Sequence, residues 1–359
     1  MKTRVIQASL GLAIACAVVI LLLRVVDVSA VVTAVSAVDP TLIVAAVAVH
    51  ILAMWVRSVL WRRLLHPRPP TATLFRASII GFAVNYLMPL RVGELIRVYL
   101  VTQWCGIAYG ATIASLVVER ALDGLAVSGI LLVALLFIPV PLYVLALAMA
   151  VGGIFGTIAV FLMLASWRIS VVRALVSRLI SLLPGPTRPK LQRVACSFAI
   201  VLDQLRDWRA LPGLLALSIL GWICQFAVFF VLMLGFPMVA SVPMALLGGG
   251  VANFATLLPS APGSVGAFDA SLIKLLVDVQ RVSVASAAAY TLVVHAVIVI
   301  PIVGLGGLIV WRADFSLRHL VSLGLRIRRG APAGTVAGAT VAAPAISTSG
   351  LPLHVTPLS

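Results

Sequence analysis

Apolar runs of roughly 20 residues, each long enough to cross the hydrocarbon core of a bilayer as a helix, recur along this chain. Six are continuous: Val5–Leu23, Thr41–Leu60, Leu116–Ile138, Leu142–Leu164, Leu211–Leu234 and Val284–Val310. Among 359 residues, 62% are hydrophobic and 10% charged, a balance that excludes an ordinary soluble domain. The predicted fold class is therefore all-α, a polytopic membrane helix bundle. Met1 to Arg4 followed by about 19 apolar residues looks like a signal peptide, but the run exceeds the usual apolar core of one. It reads as an uncleaved first span.

The charges set the orientation. A formal charge of +16 in a soluble protein would suggest nucleic acid, but here most cations lie between or just beyond apolar segments. Cations placed there face the cytoplasm and meet anionic headgroups, so no nucleic-acid partner is expected. Lys2 and Arg4, then Arg62, Arg63, Arg68 and Arg76, then the basic segment 166–210, then Arg312 to Arg329 all belong inside. Both termini are thus predicted to be cytoplasmic. The cation-poor connections 24–40, 139–141 and 235–242 belong outside.

This orientation constrains two further hydrophobic regions, about 74–105 and 243–279, that Pro, Gly and charged residues interrupt. The first must begin and end inside, and the second must begin and end outside. Each is a broken-helix hairpin, and the two enter from opposite faces, the mark of an inverted repeat with its transport site between the halves. Their texts match: Asn85-Tyr-Leu-Met-Pro89-Leu-Arg91-Val-Gly93-Glu94 and Asn253-Phe-Ala-Thr-Leu-Leu-Pro259-Ser-Ala-Pro262-Gly263-Ser-Val-Gly266. Both place Asn before Pro, then a Gly-containing turn, then a new helix.

Of ten carboxylates, Glu94, Glu119, Asp123 and Asp269 lie in apolar surroundings, where an ionisable group is costly and marks a candidate functional site. Arg91, Glu94 and Arg97 share one helical face just after Pro89. Two cations around one anion leave a net positive site that suits an anionic headgroup such as a phosphate. A structural ion pair pinning the hairpin fits the same residues. Glu119 and Asp123 share a face with Arg120 beside them, and pairing of Arg120 with Glu94 or Asp123 between helices is the favoured role over substrate contact. The Pro262-Gly263 turn exposes backbone that a ligand could approach, with Asp269 in the first turns of the next helix; a tight turn is the plain alternative. Lys274 and Asp278 form an i, i+4 pair near the outer surface. His295, a lone histidine in mid-span, reads as a hydrogen-bonded core residue, with a proton relay as the alternative, and Trp222, Gln225 and Asn253 suit hydrogen bonds between helices. The stretch Ile169 to Leu183 carries an apolar stripe that fits a helix on the inner leaflet or packed on the bundle.

No phosphate-binding Gly-Lys loop, no His-Glu-x-x-His and no Asp-x-Asp is present, and Cys16, Cys105, Cys196 and Cys224 match no metal or redox spacing. No metal, no cofactor and no enzymatic activity are expected.

The three motifs, Gly81 to Arg97, Glu119-Arg120-Ala-Leu-Asp123 and Leu258 to Asp269, in this order resemble the flippase-like transmembrane domain of lysylphosphatidylglycerol synthases. The resemblance covers about residues 5–315. It implies a domain at 1–315 that translocates a modified or anionic lipid, with Arg91, Glu94, Arg97, Glu119, Arg120 and Pro262-Gly263 lining or bracing the path. Asp269 stands where the family pattern carries Glu. Nothing after Arg329 has a soluble globular pattern, so the aminoacyl-transferase activity is not carried over, and 316–359 reads as a basic then disordered tail. The implied function is a lipid or polyprenyl-lipid translocase of the bacterial inner membrane, with membrane lipids as partners. A non-catalytic membrane partner of a lipid- or glycan-modifying enzyme is the alternative, and an integral glycosyltransferase is the least favoured reading.

Overall fold

The computed structural model describes residues 38–88, 92–168, 209–257, 262–264 and 266–312, with single positions among 29–36 and 174–192. The expected first span Val5–Leu23, Pro89, Arg91, most of 169–183 and the tail from 316 lie outside the described residues.

The described residues form nine α-helices: α1 Pro40–Leu64, α2 Thr71–Leu87, α3 Val92–Cys105, α4 Tyr109–Leu135, α5 Leu142–Trp167, α6 Leu211–Met233, α7 Val242–Ala255, α8 Ala267–Leu275 and α9 Val284–Arg312. Local chemistry fixes where several begin. Pro40 occupies the first turn of α1 while the Asp39 carboxylate accepts the Thr41 N–H at 2.8 Å, and Ser241 accepts the Met244 N–H at 3.3 Å ahead of α7. Pro141 precedes α5, and Pro212 lies in the first turn of α6.

Helices α1, α5, α6 and α9 are long and apolar enough to cross a membrane. α4 has 27 residues but carries Glu119, Arg120 and Asp123 through its middle. The remaining helices are shorter. α2 and α3, with 17 and 14 residues, form one hairpin, and α7 and α8, with 14 and 9, form the other. At 1.5 Å per residue a 14-residue arm is only about 21 Å long, short of the roughly 30 Å hydrocarbon core.

The two hairpins are rooted at opposite ends of the bundle. Trp61, Leu65, Leu74, Tyr99, Ile107 and Val310 form one apolar cluster, which gathers the end of α1, the base of the α2–α3 hairpin, the start of α4 and the end of α9. At the other end Phe236 stacks edge-on against Tyr290 at 5.4 Å, the Tyr143 hydroxyl donates to Asp278 at 2.7 Å, and Gln280 donates to the Val239 carbonyl at 2.9 Å. Those contacts join the start of α5, the end of α6, the base of the α7–α8 hairpin and the start of α9. The main core runs between these ends through Trp222, Phe226, Phe229, Phe254 and Tyr290.

α5 is the outlying helix. Only 17% of its apolar window is buried, and Leu145, Met149, Ile154 and Phe161 point outward. Its main seat is α4, where a side chain at Gly124 would collide with the Phe155 ring at 1.9 Å. An apolar helix left this bare is at home only against lipid tails. The chain is an all-α polytopic membrane bundle.

Candidate functional site

The first hairpin closes by backbone approach. A Cβ at Gly93 would lie 1.9 Å from the Gly81 carbonyl oxygen, and one at Gly81 would lie 2.3 Å from Cγ of Arg97. Glycine at both positions lets α2 and α3 touch, the small-residue contact that substitutes for hydrophobic drive in a bilayer. Asn85 completes the contact, its Oδ1 accepting the Gly93 N–H at 2.7 Å. The Asn that precedes the break therefore satisfies a free donor of the helix that follows it.

This approach sets Glu94 and Arg97 against the middle of α4. Arg97 is 1% exposed, pairs with Glu94 at 3.1 Å and with Glu119 at 3.1 Å, and lies 4.2 Å from the Trp61 ring centroid. Arg120 bonds Glu119 and stands 4.0 Å from Glu94 and 3.5 Å from Asp123. Asp123 bonds Arg57 of α1 and accepts from Trp222 Nε1 at 3.0 Å and Ser218 Oγ at 3.2 Å. Burying charge is costly unless every partner is present, and here α1, α3, α4 and α6 each supply one. Three guanidinium groups face three carboxylates.

The expected net positive face rested on Arg91 and Arg97 around Glu94, and Arg91 lies outside the described residues. Arg97 pairs with Glu94 and also turns inward onto Glu119 and Trp61, and Arg57 adds a cation paired with Asp123. Arg120 does bridge Glu94 and Asp123, the geometry expected of it.

In the second hairpin a short turn, Pro262–Ser264, has Gly263 at φ +73° and Ser264 at φ +62°. Asp269 accepts the Gly266 N–H at 3.0 Å through Oδ2 and contacts Nδ1 of His295 at 2.7 Å through Oδ1. Nε2 of the same histidine meets the Gly263 carbonyl at 2.9 Å. His295, on α9, thus ties both sides of the turn.

The described ends of the hairpin arms face one another across a cavity of about 180 Å³. The first contributes Asn85, Tyr86 and Glu94; the second contributes Asn253, Thr256, Gly263 and Ser264. His50 and Arg57 of α1, Arg120 of α4, Trp222 and Gln225 of α6 and His295 of α9 complete the wall, each from the middle of its helix. The described arms of both hairpins therefore end alongside the middles of α1, α4, α6 and α9.

Of the residues singled out from sequence, Asn85, Glu94, Arg120, Asn253 and Gly263 line the cavity, while Arg97, Glu119 and Asp123 brace it from behind and Asp269 reaches it through His295. Pro262 opens the turn and Arg91 lies outside the described residues. Gln225, Trp222 and His295 make the interhelical bonds expected of them. His50 and Arg57 were not anticipated. His50 bonds Gln225 at 2.9 Å, and Arg57 lies 4.5 Å from the Trp222 centroid. The signal was present, since both are ionisable residues within the apolar run Thr41–Leu60.

The chain is 26% identical over 336 residues to a curated protein named Glycosyltransferase AglD from Haloferax volcanii, an alignment covering 82% of this chain and 52% of that protein. The chain spans about half the length of this relative. Residues 8–306 match the family described as Lysylphosphatidylglycerol synthase TM region, so the chain belongs to the lysylphosphatidylglycerol synthase transmembrane family.

Proposed function

We propose that this protein is a lipid or polyprenyl-lipid translocase of a bacterial inner membrane, with both termini cytoplasmic and no enzymatic activity of its own. One observation carries the reading: two broken hairpins rooted at opposite ends of the bundle approach one cavity, lined by both apolar and charged side chains, beside the middles of the long helices. Irregular backbone at that depth is tolerated only where protein buries it or a cavity accepts it, and tips of this kind are where transporters bind cargo. The headgroup enters the cavity while the acyl or prenyl chains stay in the bilayer. Arg120, with 35% of its side chain exposed and a loose 4.0 Å contact to Glu94, is the cation an anionic headgroup reaches first. Arg57, 8% exposed, and Arg97, 1% exposed, hold the frame.

The test is leaflet exchange of fluorescent anionic and zwitterionic lipids in proteoliposomes of the purified chain, beside Glu94→Gln and Arg120→Gln variants shown to be folded. Exchange that falls at least tenfold in either variant supports the proposal. Exchange no faster than in protein-free vesicles for every lipid overturns it.

The name of the Haloferax relative favours a second reading, in which the chain positions a lipid- or glycan-modifying enzyme in the membrane. Stoichiometric co-purification of such an enzyme, with no exchange activity, would select it.

A further inference from the structure

We propose that His295 and Asp269 form a proton-binding latch that holds the turn of the second hairpin, so that the ligand taken up and released at this site is a proton. The argument is a count of hydrogens. Both ring nitrogens of His295 face acceptors, the Asp269 carboxylate at 2.7 Å and the Gly263 carbonyl at 2.9 Å. A carbonyl oxygen carries no hydrogen, so Nε2 must supply one. The short Nδ1 to Oδ1 contact needs a second, whichever of the two atoms holds it. The latched pair therefore contains one proton more than a neutral imidazole beside a carboxylate.

Loss of that proton to a water or base in the cavity leaves a neutral imidazole, an ionised Asp269 and only one ring N–H for two acceptors. The bond to the carboxylate is charge-assisted and the stronger of the two, so the single hydrogen settles on Nδ1. Nε2 then presents a lone pair to the Gly263 oxygen, and that contact becomes repulsive. The turn it held has a non-glycine residue, Ser264, in the left-handed region, a conformation that persists only while its surroundings impose it. Deprotonation thus frees Pro262–Ser264 from α9 at the point where the two hairpins approach the cavity.

The neighbouring groups leave the latch to this pair. Of the charged or titratable side chains around the same cavity, His50 on α1 is bonded to Gln225, Arg57 to Asp123, Glu94 on α3 and Arg120 on α4 to the ion cluster, and Tyr86 on α2 also lines the wall. On α8, Lys274 is paired with Asp278 at the base of the hairpin. Phe268 packs its ring 4.9 Å from the imidazole and closes the remaining side.

That the latch gates cargo rests on the translocase reading; that it binds a proton does not, and the two fail separately. The full chain, labelled with nitrogen-15 at histidine and held in lipid nanodiscs, is titrated from pH 5 to 9. The His295 signals are identified by their loss in His295→Gln. At the acid end the expected result is two protonated ring nitrogens, and on raising the pH one is lost in step with faster hydrogen exchange, corrected for intrinsic rate, in residues 262–267. In Asp269→Asn, which keeps the shape and removes the charge, exchange of the turn should no longer follow the proton count of the His295 ring. A His295 with a single ring proton throughout, or exchange of the turn that ignores its titration, overturns the latch. Lipid exchange in the same preparations reads the other question: a confirmed latch in a protein without exchange sinks the transport reading alone.

Discussion

Arg57 and Trp222 share one carboxylate: the guanidinium carbon lies 4.5 Å from the indole centroid while both side chains donate to Asp123. Three helices, α1, α4 and α6, are joined through that one acid. Arg57→Ala would leave buried Asp123 only its longer contact to Arg120 among cations and should cost about 3–5 kcal/mol, whereas Arg57→Met with Asp123→Leu should recover only part of the loss, because Trp222 and Ser218 lose their acceptor. Thermal unfolding in detergent of the two single variants and the double variant measures this. A double variant as unstable as the singles would show that the pair does more than compensate its own charges.

The contact between α2 and α3 makes a sharper prediction. Gly93→Ala would drive a methyl into the Gly81 carbonyl, where the Cβ position lies 1.9 Å from the oxygen, so the hairpin cannot close and folded protein should be lost. Asn85→Ala, which removes one hydrogen bond to the Gly93 N–H, should cost only about 1 kcal/mol. Gly153→Ala on α5, where nothing lies within 4 Å, should be neutral. Yield of monodisperse protein by gel filtration ranks the three.

Glu94 and Glu119 are separated by their exposure. The Glu119 side chain is 1% exposed and holds Arg97 and Arg120 together, whereas that of Glu94 is 25% exposed and faces the cavity. Glu119→Gln should lower thermal stability by several kcal/mol, as expected of breaking a buried charge pair. Glu94→Gln should leave stability within about 1 kcal/mol and change lipid exchange instead, since a partly exposed pair contributes little. Equal stability losses in both would remove the distinction between frame and lining.

At the base of the second hairpin, outside the spans, Asp278 is held below the usual carboxylate range by the Tyr143 hydroxyl first and the Lys274 ammonium second. A depressed carboxylate stabilises the fold above its unfolded value, near pH 4, and loses that contribution as pH falls through its lower folded value. Hydrogen exchange in 276–282, corrected for intrinsic rate, should therefore stay flat from pH 7 to about 4 and rise below it. Asp278→Asn should remove the rise; a rise that persists would assign it to another group.

The spans were legible because apolar length is a local property: the runs predicted at Thr41–Leu60, Leu142–Leu164, Leu211–Leu234 and Val284–Val310 coincide with α1, α5, α6 and α9 to within a few residues. The hairpins followed from charge parity, and Asn85 with Gly93 was visible as a motif before its bond was seen. Arg57 was hidden by its neighbourhood. It sits five residues before the basic pair Arg62 and Arg63 and reads as the edge of that flank, while its partner Asp123 lies 66 positions later. Arg97 was placed on the correct helical face, but which side of that face meets Glu119 depends on how closely α2 and α3 approach. Periodicity cannot convey that distance. His295 was read as a bonded core residue; that both its bonds go to the opposing turn is a tertiary fact.

The six-residue cluster of Arg57, Arg97, Arg120, Glu94, Glu119 and Asp123 sums to zero formal charge. A group of unit charge carried through a membrane potential exchanges about 2.3 kcal/mol per 100 mV with the field. A balanced cluster exchanges none. Moving these six residues together through the membrane field transfers no net charge, so a voltage dependence of such a step would have to come from charges outside the cluster.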